Sequence, residues 1–277
     1  MRLGGPLFEE TRDPDQWVGA LRRAGYAAAF CPVDPGASDE VIAAYAKAAE
    51  SADIVIAEVG AWSNPLSPDP DTRKAAMALC KESLALADKI GARCCVNISG
   101  SRGEQWDGPH PDNLTEETFE MIVETVREII DAVQPTRSFY TLETMPWMYP
   151  DSAVSYLRMV LAVNRKQFAV HLDPVNLICS PQRYFNNASL IRECFTKLGP
   201  HIRSCHAKDI ALSGKLTVHL DEVRPGLGAL DYRTYLQELS KLGADVPLMI
   251  EHLANAEEYA AATEYIRSVG REAAVEV

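Results

Sequence analysis

Residues 139–173 read FYTLETMPWMYPDSAVSYLRMVLAVNRKQFAVHLD, and this stretch holds one full repeat of the pattern that decides the fold. Short apolar runs over 139–143 and 168–173 flank a helical stretch over 152–163. An apolar run, a helix and a second apolar run are typical of parallel strands covered by a crossover helix, because such strands are buried on both faces. The stretch therefore predicts a βαβ unit.

The same alternation repeats along the whole chain, and we count eight units. The predicted strands cover 3–4, 27–30, 54–59, 94–98, 139–143, 168–173, 202–206 and 248–251. The predicted helices cover 14–24, 39–51, 71–90, 116–133, 152–163, 187–198, 232–242 and 256–269. Eight units match the ~250 residues typical of a closed (β/α)8 barrel, whereas an open doubly wound sheet usually stops at about five or six strands. We therefore predict an α/β fold in which residues 1–277 form a single (β/α)8 TIM barrel.

The composition narrows the class of partner. The chain has 277 residues and a formal net charge of −12, from 27 Lys and Arg against 39 Asp and Glu. An acidic surface without a Lys or Arg run repels a phosphate backbone, so we predict a small-molecule partner and no nucleic acid. No apolar stretch approaches the roughly 20 residues of a membrane span, and the N-terminus lacks a signal-peptide pattern, so we predict a cytoplasmic protein without a membrane partner. The seven cysteines form no C-x-x-C pair, and we expect them to be reduced and mostly buried.

Four consecutive predicted strands end in an ionisable residue after an apolar run: Glu143, Asp173, His206 and Glu251. In a barrel of this kind the carboxyl ends of the strands form the functional face. Because side chains alternate with period two, all four can face the barrel axis, where unpaired carboxylates would cost several kcal/mol. A divalent cation is the simplest way to compensate that charge. Three oxygen ligands and one imidazole suit Mn²⁺, Mg²⁺ or Co²⁺ better than a structural zinc, so we predict one bound divalent metal, with Mn²⁺ ahead of Mg²⁺, Co²⁺ and Zn²⁺.

The sequence around these strand ends resembles the xylose-isomerase-like barrels, a family that includes sugar phosphate isomerases/epimerases and ketose 3-epimerases. The segments that carry the resemblance are LETMP (142–146), HLDPVN (171–176), HAKD (206–209) and MIEH (249–252), together with RPGLGALDY (224–232) before the seventh predicted helix. The resemblance implies that Glu143, Asp173, His206 and Glu251 bind one divalent metal, and that the two glutamates act as the acid/base pair. Asn176 stands where ketose 3-epimerases carry a substrate-binding histidine.

The predicted chemistry is proton abstraction next to a carbonyl through a metal-stabilised enediolate. If Glu143 and Glu251 flank opposite faces of the substrate, one removes a proton and the other returns one, which epimerises the carbon. Return of the proton to the neighbouring carbon gives aldose–ketose isomerisation. We therefore predict a metal-dependent isomerase or epimerase of sugars or keto-sugars.

Three other interpretations are weighed against it. The same barrel can host a lyase that eliminates the substituent of a 3-keto-glycoside, or a non-catalytic sugar-binding subunit. A DNA-repair endonuclease of this barrel type needs a histidine-rich cluster of several metals. The six histidines and the acidic surface disfavour that endonuclease.

The remaining candidates lie near the same strand ends, and we predict that they contact the substrate: Trp147, His171, Asn176, Lys208, His219 and Glu222. Trp147 is chosen over Trp62 and Trp106 as the aromatic side chain that covers the apolar face of a sugar. His252 is expected to point away from Glu251, because neighbouring side chains of a strand alternate.

The longest connection without a predicted strand or helix runs over 207–230. A loop of that length on a compact domain is more often functional than idle, and it carries His219 and Glu222. Barrels of this type often pair through surfaces near the active-site rim, so we predict a homodimer or a homotetramer.

Overall fold

Eight parallel strands close into a barrel in the computed structural model, which describes residues 1–277. The strands are β1 (Arg2–Gly4), β2 (Ala28–Phe30), β3 (Val55–Gly60), β4 (Cys94–Asn97), β5 (Phe139–Glu143), β6 (Phe168–Leu172), β7 (Ile202–Ala207), β8 (Asp209–Ser213), β9 (His219–Val223) and β10 (Pro247–Ile250). Strands β1 to β7 follow one another around the barrel, and β10 closes it by pairing with both β7 and β1. The predicted barrel is confirmed, and each of its strands lies within one residue of the predicted bounds.

Helices alternate with the barrel strands. They are α1 (Pro14–Ala24), α2 (Asp39–Ala52), α3 (Pro70–Ile90), α4 (Glu116–Val133), α5 (Ala153–Val163), α6 (Pro181–Phe185), α7 (Asn187–Leu198), α8 (Tyr232–Ser240) and α9 (Ala256–Ala273). All but the short α6 correspond to predicted helices. Asp13, Asp69 and Asn255 each accept a hydrogen bond from a backbone N–H group in the first turn of α1, α3 and α9, so these starts follow from local capping. No helix combines the length and the apolarity that a membrane span needs.

The apolar faces of the helices pack against the barrel. In α4, Phe119, Ile122, Val126 and Ile129 are at most 3% exposed and lie on one side of the helix. Every residue of β4 and β6 is buried, as expected for strands that are covered on both faces. Five of the seven cysteines are buried as well. This core fixes the strands, and with them the positions of the side chains at the barrel rim.

The connection after β7 contains an antiparallel hairpin of β8 with β9, where the sequence suggests only a long loop. Most hairpin residues after Ile210 are half-buried or exposed, so the apolar run that reveals a strand is missing. The carboxylate of Asp209 accepts hydrogen bonds from the backbone N–H groups of Ile210, Gly226, Gly228 and Leu230. At Gly228 a Cβ atom would lie 2.3 Å from Asp209 Oδ1, so only glycine permits this approach. Asp209 thereby anchors the hairpin to the segment before α8.

We predict that Asp209→Ala lowers the free energy of unfolding by about 2–4 kcal/mol, because buried backbone N–H groups lose their acceptor. Urea denaturation followed by circular dichroism measures the difference. Asp221→Ala is the matched control, since Asp221 is exposed on β9 and its loss should change stability by less than about 0.5 kcal/mol. Equal losses in the two variants would contradict the anchoring role.

Candidate metal centre

The four strand-end residues predicted as metal ligands lie together at the carboxyl end of the barrel. One donor atom each from Glu143, Asp173, His206 and Glu251 lies within 4.8 Å of all the others. Glu143 ends β5 and His206 lies in β7, whereas Asp173 and Glu251 directly follow β6 and β10. Neighbouring parallel strands bring these ends to one rim, and side-chain alternation turns them toward the axis. The first three residues are buried and Glu251 is half-buried.

The imidazole of His206 contacts all three carboxylates. Its Nδ1 lies 2.8 Å from Glu251 Oε1, 3.1 Å from Glu143 Oε1 and 3.8 Å from Asp173 Oδ2. Burial alone would lower the pKa of His206, but the carboxylates of Glu251, Glu143 and Glu58 raise it well above its usual value. The carboxylates therefore draw a positive charge onto the ring, as expected where negative charge is in excess.

Lys208, two residues after His206, supplies a second positive charge. Its Nζ lies 2.6 Å from Glu251 Oε1 and 2.9 Å from Asp173 Oδ2, and the side chain is 2% exposed. Burial alone would lower the pKa of Lys208, but the carboxylates of Asp173, Glu143 and Glu251 hold it well above its usual range. Lys208 is therefore a charged ammonium in the wall of the site.

The cluster fits a divalent metal because part of its negative charge stays uncompensated. Asp173 Oδ2 and Glu251 Oε1 are buried and have no hydrogen-bond partner, since their contacts with Lys208 and His206 lack hydrogen-bond geometry. Burial raises the pKa of Asp173 to about 6, although Lys208 acts against it. Three carboxylates and one ammonium leave two negative charges, which a divalent cation with a neutral imidazole ligand would balance.

A cavity of about 600 Å³ opens at this cluster. Glu143 and Glu251 line it, so two of the four donor residues border a space that admits a small molecule. Its walls carry four aromatic side chains, Phe30, Trp62, Trp106 and Tyr259. A larger surface depression, about 840 Å³ between α3 and α4, is lined mostly by charged side chains of both signs and holds no cluster of metal ligands. The cavity at the barrel rim is therefore the candidate functional site.

Three of the six predicted substrate contacts line this cavity: Asn176, Lys208 and Glu222. Asn176 Nδ2 donates hydrogen bonds to Glu143 Oε1 at 3.1 Å and to the carbonyl oxygen of Thr144 at 3.0 Å. The amide of Asn176 therefore orients Glu143. Glu222, on β9, lies 3.5 Å from Lys208 Nζ, which places the hairpin at the edge of the site.

The other three predicted contacts, Trp147, His171 and His219, are not among the residues that line the cavity. Trp147 is exposed and donates from Nε1 to the carbonyl oxygen of Asp107, a cavity-lining residue, at 2.8 Å. His219 is exposed on β9. His171 is fully buried beneath His206, with 4.1 Å between the ring centroids. Side-chain alternation places His171 on the same face as Asp173, but one layer deeper in the barrel.

Sequence reasoning misses two residues of this site. His252 lines the cavity, with Nδ1 3.1 Å from Glu222 Oε1, so the expectation that it points away is wrong. Alternation holds only within a strand, but β10 ends at Ile250 and His252 has a φ of 60°, in the left-handed region. Glu58, in β3, lies beneath the cluster and is 1% exposed. Its signal in the sequence is a single acidic residue inside the apolar run IVIAEVG over 54–60.

The chain matches the model of a known protein family. A family model described as xylose isomerase-like TIM barrel matches residues 18–269. The chain belongs to the xylose isomerase-like TIM barrel family. This match confirms the resemblance inferred from the strand-end segments. No curated protein matches the sequence.

Solved structures with the same fold include proteins of different kinds. D-Psicose 3-epimerase from Clostridium cellulolyticum, solved with D-tagatose, is 18% identical with a TM-score of 0.70, over 97% of this chain and 99% of that chain. The 3-keto-D-glucoside 4-epimerase from E. coli is 12% identical with a TM-score of 0.68, over 97% and 99%. Endonuclease IV from Thermus thermophilus is 14% identical with a TM-score of 0.74, over 98% and 100%. At these identities the likeness shows the fold, and the chemistry has to be argued from the site.

We predict that the purified protein binds one equivalent of Mn²⁺ and that Asp173→Asn weakens this binding at least ~100-fold, because the cluster loses a charged oxygen donor. Elemental analysis and isothermal titration calorimetry measure content and affinity. Asp107→Asn is the matched control, since Asp107 lines the same cavity but lies outside the donor cluster, and its affinity should stay unchanged. A wild-type protein that stays metal-free after reconstitution with Mn²⁺, Co²⁺ and Mg²⁺ would contradict the ligand assignment.

Proposed function

We propose that this protein is a divalent-metal-dependent isomerase or epimerase that acts on a sugar or keto-sugar next to its carbonyl group. The observation that carries the proposal is the pair Glu143 and Glu251, which come from different strands, contact the same nitrogen of His206 and line one cavity. Two carboxylates that converge on one small-molecule cavity can serve as base and acid at the same carbon. Family relatives that act on sugars support this interpretation.

The metal would be held by Glu143, Asp173, His206 and Glu251. A divalent ion bound there supplies electrophilic stabilisation of the negative charge that develops on a substrate carbonyl oxygen. We propose Mn²⁺, with Mg²⁺, Co²⁺ and Zn²⁺ as alternatives, because three oxygen donors and one imidazole suit such cations.

The side chains of the protein carry the proton. One glutamate of the pair Glu143 and Glu251 removes the proton beside the carbonyl, and the other returns a proton to the opposite face, which inverts the carbon. Return of the proton to the neighbouring carbon gives isomerisation instead. Asn176 holds Glu143 through its Oε1, and Lys208, in the cavity wall, is placed to donate to a substrate oxygen.

The charges in the cavity favour a substrate without phosphate. Lys208 already contacts Glu251 at 2.6 Å, and His252 contacts Glu222 at 3.1 Å. No arginine lines the cavity. A phosphate group would therefore meet an excess of negative charge, whereas the apolar face of a neutral sugar can pack on the aromatic walls.

The same charges disfavour DNA, although endonuclease IV shares the fold. The whole chain carries a net charge of −12, so a phosphate backbone is repelled both at the surface and in the cavity. The proposed partner is therefore a small sugar or keto-sugar. The cytoplasmic location and the dimeric or tetrameric state stay predictions.

We predict that the Mn²⁺-loaded protein transfers deuterium from D2O into the carbon beside the carbonyl of a non-phosphorylated ketose or 3-keto-glycoside. A panel of such sugars, each with a phosphorylated counterpart, is followed by NMR and mass spectrometry. Glu143→Gln and Glu251→Gln, compared at Mn²⁺ concentrations that restore occupancy, should each slow exchange ~10²–10⁴-fold because a proton-transfer group is lost.

Asp221→Asn is the control for this experiment and should retain the exchange, because Asp221 is exposed on β9 and belongs to neither the donor cluster nor the cavity lining. Absence of exchange from every sugar, by a protein that binds Mn²⁺, would contradict the proposal. That result would favour the non-catalytic sugar-binding subunit.

A second function, elimination from a 3-keto-glycoside, is favoured by one further observation. Glu222 and His252 form a contact at the cavity in addition to the two glutamates that epimerisation requires. The cavity volume of about 600 Å³ lies in the range that buries drug-sized ligands, which leaves room for an aglycone beside one sugar ring. In this reaction a glutamate removes the proton beside the carbonyl, and the bond to the aglycone breaks as its oxygen takes up a proton.

Elimination and epimerisation predict different products from the same 3-keto-glycoside. Elimination releases free aglycone, which chromatography detects, whereas epimerisation leaves the glycoside intact with deuterium at the exchanged carbon. If elimination is the reaction, His252→Gln should slow aglycone release more than deuterium exchange, because the proton for the leaving group is lost while the glutamates remain. Equal effects on both rates would count against this second function.

A further inference from the structure

A second polar layer lies beneath the candidate metal centre, inside the barrel. Glu58, in β3, is 1% exposed, and its carboxylate contacts side chains from β6 and β7. His171 Nε2 lies 2.9 Å from Glu58 Oε1, and the hydroxyl of Ser204 donates to the same oxygen. His206 Nε2 lies 3.4 Å from the other oxygen, Oε2. Glu58 is therefore joined to the donor cluster through His206.

Packing alone does not account for a carboxylate at this position. No lysine or arginine forms an ion pair with Glu58. An apolar side chain would fill the barrel interior without the cost of desolvating a charge. The carboxylate of Glu58 therefore has no partner of fixed positive charge, and its neighbours are two imidazoles, one of which belongs to the donor cluster.

The two ring nitrogens of His206 face different partners. Nδ1 faces Glu143 and Glu251, whereas Nε2 faces Glu58. A neutral imidazole carries one N–H group and one lone pair, and only the lone pair can bind a metal. If the N–H group is on Nε2 and donates to Glu58, the lone pair is on Nδ1, toward the cluster. A carboxylate behind a metal-binding histidine fixes both the tautomer and the orientation of the ring.

We propose that Glu58 is a positioning residue that holds His206 in the Nε2–H tautomer and presents Nδ1 to the metal; this inference rests on the proposed function. His171 and Ser204 complete the arrangement, since both contact Oε1 and leave Oε2 for His206. The ring of His171 also packs against the ring of His206 with an interplanar angle of 73°, and this contact restricts rotation of the His206 ring. Glu58 does not line the cavity, so its effect reaches the chemistry only through His206.

The same residues suggest a competing arrangement, a second metal site. Donor atoms of Glu58, His171 and His206 also lie within 4.8 Å of one another. This arrangement is less well supported, because His206 would have to bind two metals through its two nitrogens. All three residues are at most 1% exposed and do not line the cavity, and Ser204 already donates to one oxygen of Glu58. The number of metal ions bound distinguishes the two arrangements.

Glu58→Gln tests the proposal, because the amide keeps the volume and removes the charge. We expect the affinity for Mn²⁺, measured by isothermal titration calorimetry, to fall ~10–100-fold. Nitrogen-15 NMR of histidine-labelled protein loaded with diamagnetic Zn²⁺ reports the tautomer. We expect the proton of His206 on Nε2 in the wild type, with the downfield proton resonance of an N–H group that donates to a carboxylate, and an upfield shift of this resonance in Glu58→Gln.

Thr141→Val is the matched control. Thr141 is a buried polar residue in β5, and its hydroxyl donates to the carbonyl oxygen of Cys95 without contacting His206. The substitution therefore removes a buried hydrogen bond from the barrel without touching the histidine. Both the affinity for Mn²⁺ and the tautomer of His206 should be unchanged in this variant.

Equal Mn²⁺ affinity in the wild type and in Glu58→Gln, or a proton on Nδ1 of His206 in the Zn²⁺-loaded wild type, overturns the inference and leaves the proposed function intact. Two equivalents of Mn²⁺ in the wild type, one of them lost in Glu58→Gln, indicate the second metal site and also overturn it. A wild type that binds no metal overturns the proposed function and this inference together. If Glu58→Gln does not fold, the proton resonance of the His206 Nε2–H group in the wild type decides: a downfield, carboxylate-bonded shift supports the inference, and the shift of a free N–H group overturns it.

Discussion

Excess negative charge at the carboxyl end of the barrel is the constraint on which the rest of the site depends. The carboxylates of Glu143, Asp173 and Glu251 converge where water barely reaches, and burial of unpaired carboxylates costs several kcal/mol. Lys208 and His206 lie among them and offset part of this charge. The negative charge that remains suits the cluster to a divalent cation. Without a cation, the site would need a further positively charged side chain for each carboxylate that lacks a partner.

The barrel imposes this convergence through its strand order. Strands β5, β6, β7 and β10 are neighbours in the closed sheet, and parallel strands end at one rim, so their last side chains meet. The helices fix the strands from outside, and the hairpin adds Glu222 at the edge of the cavity. Asp209, which anchors the hairpin, directly follows Lys208. Fold stability and the placement of the ammonium therefore depend on the same short segment.

The parts of the molecule that can be predicted from the sequence are those marked by a periodic apolar pattern or by a polar residue at the end of an apolar run. The barrel strands appear as apolar runs, and Glu143 and His206 stand out because each ends such a run. His252 is misplaced because its left-handed backbone breaks the alternation that the prediction relies on. The aromatic wall includes Trp62 and Trp106 but not Trp147, since loop conformations after different strands decide which indole reaches the cavity. Glu58 is missed because it lies inside a strand, where an acidic residue has no periodic signature.

The donor set also explains why a second polar layer is built under one ligand in particular. A carboxylate offers lone pairs on both oxygens, so it needs orientation alone, and Asn176 supplies that to Glu143. An imidazole offers a single lone pair, and its position depends on which nitrogen carries the proton. His206 is the one imidazole among three carboxylates. It is also the ligand whose second nitrogen, Nε2, faces another carboxylate, that of Glu58. The polar layer beneath the cluster therefore lies under the one ligand that has two tautomers, and its role is to select between them as well as to fix the position of the ring.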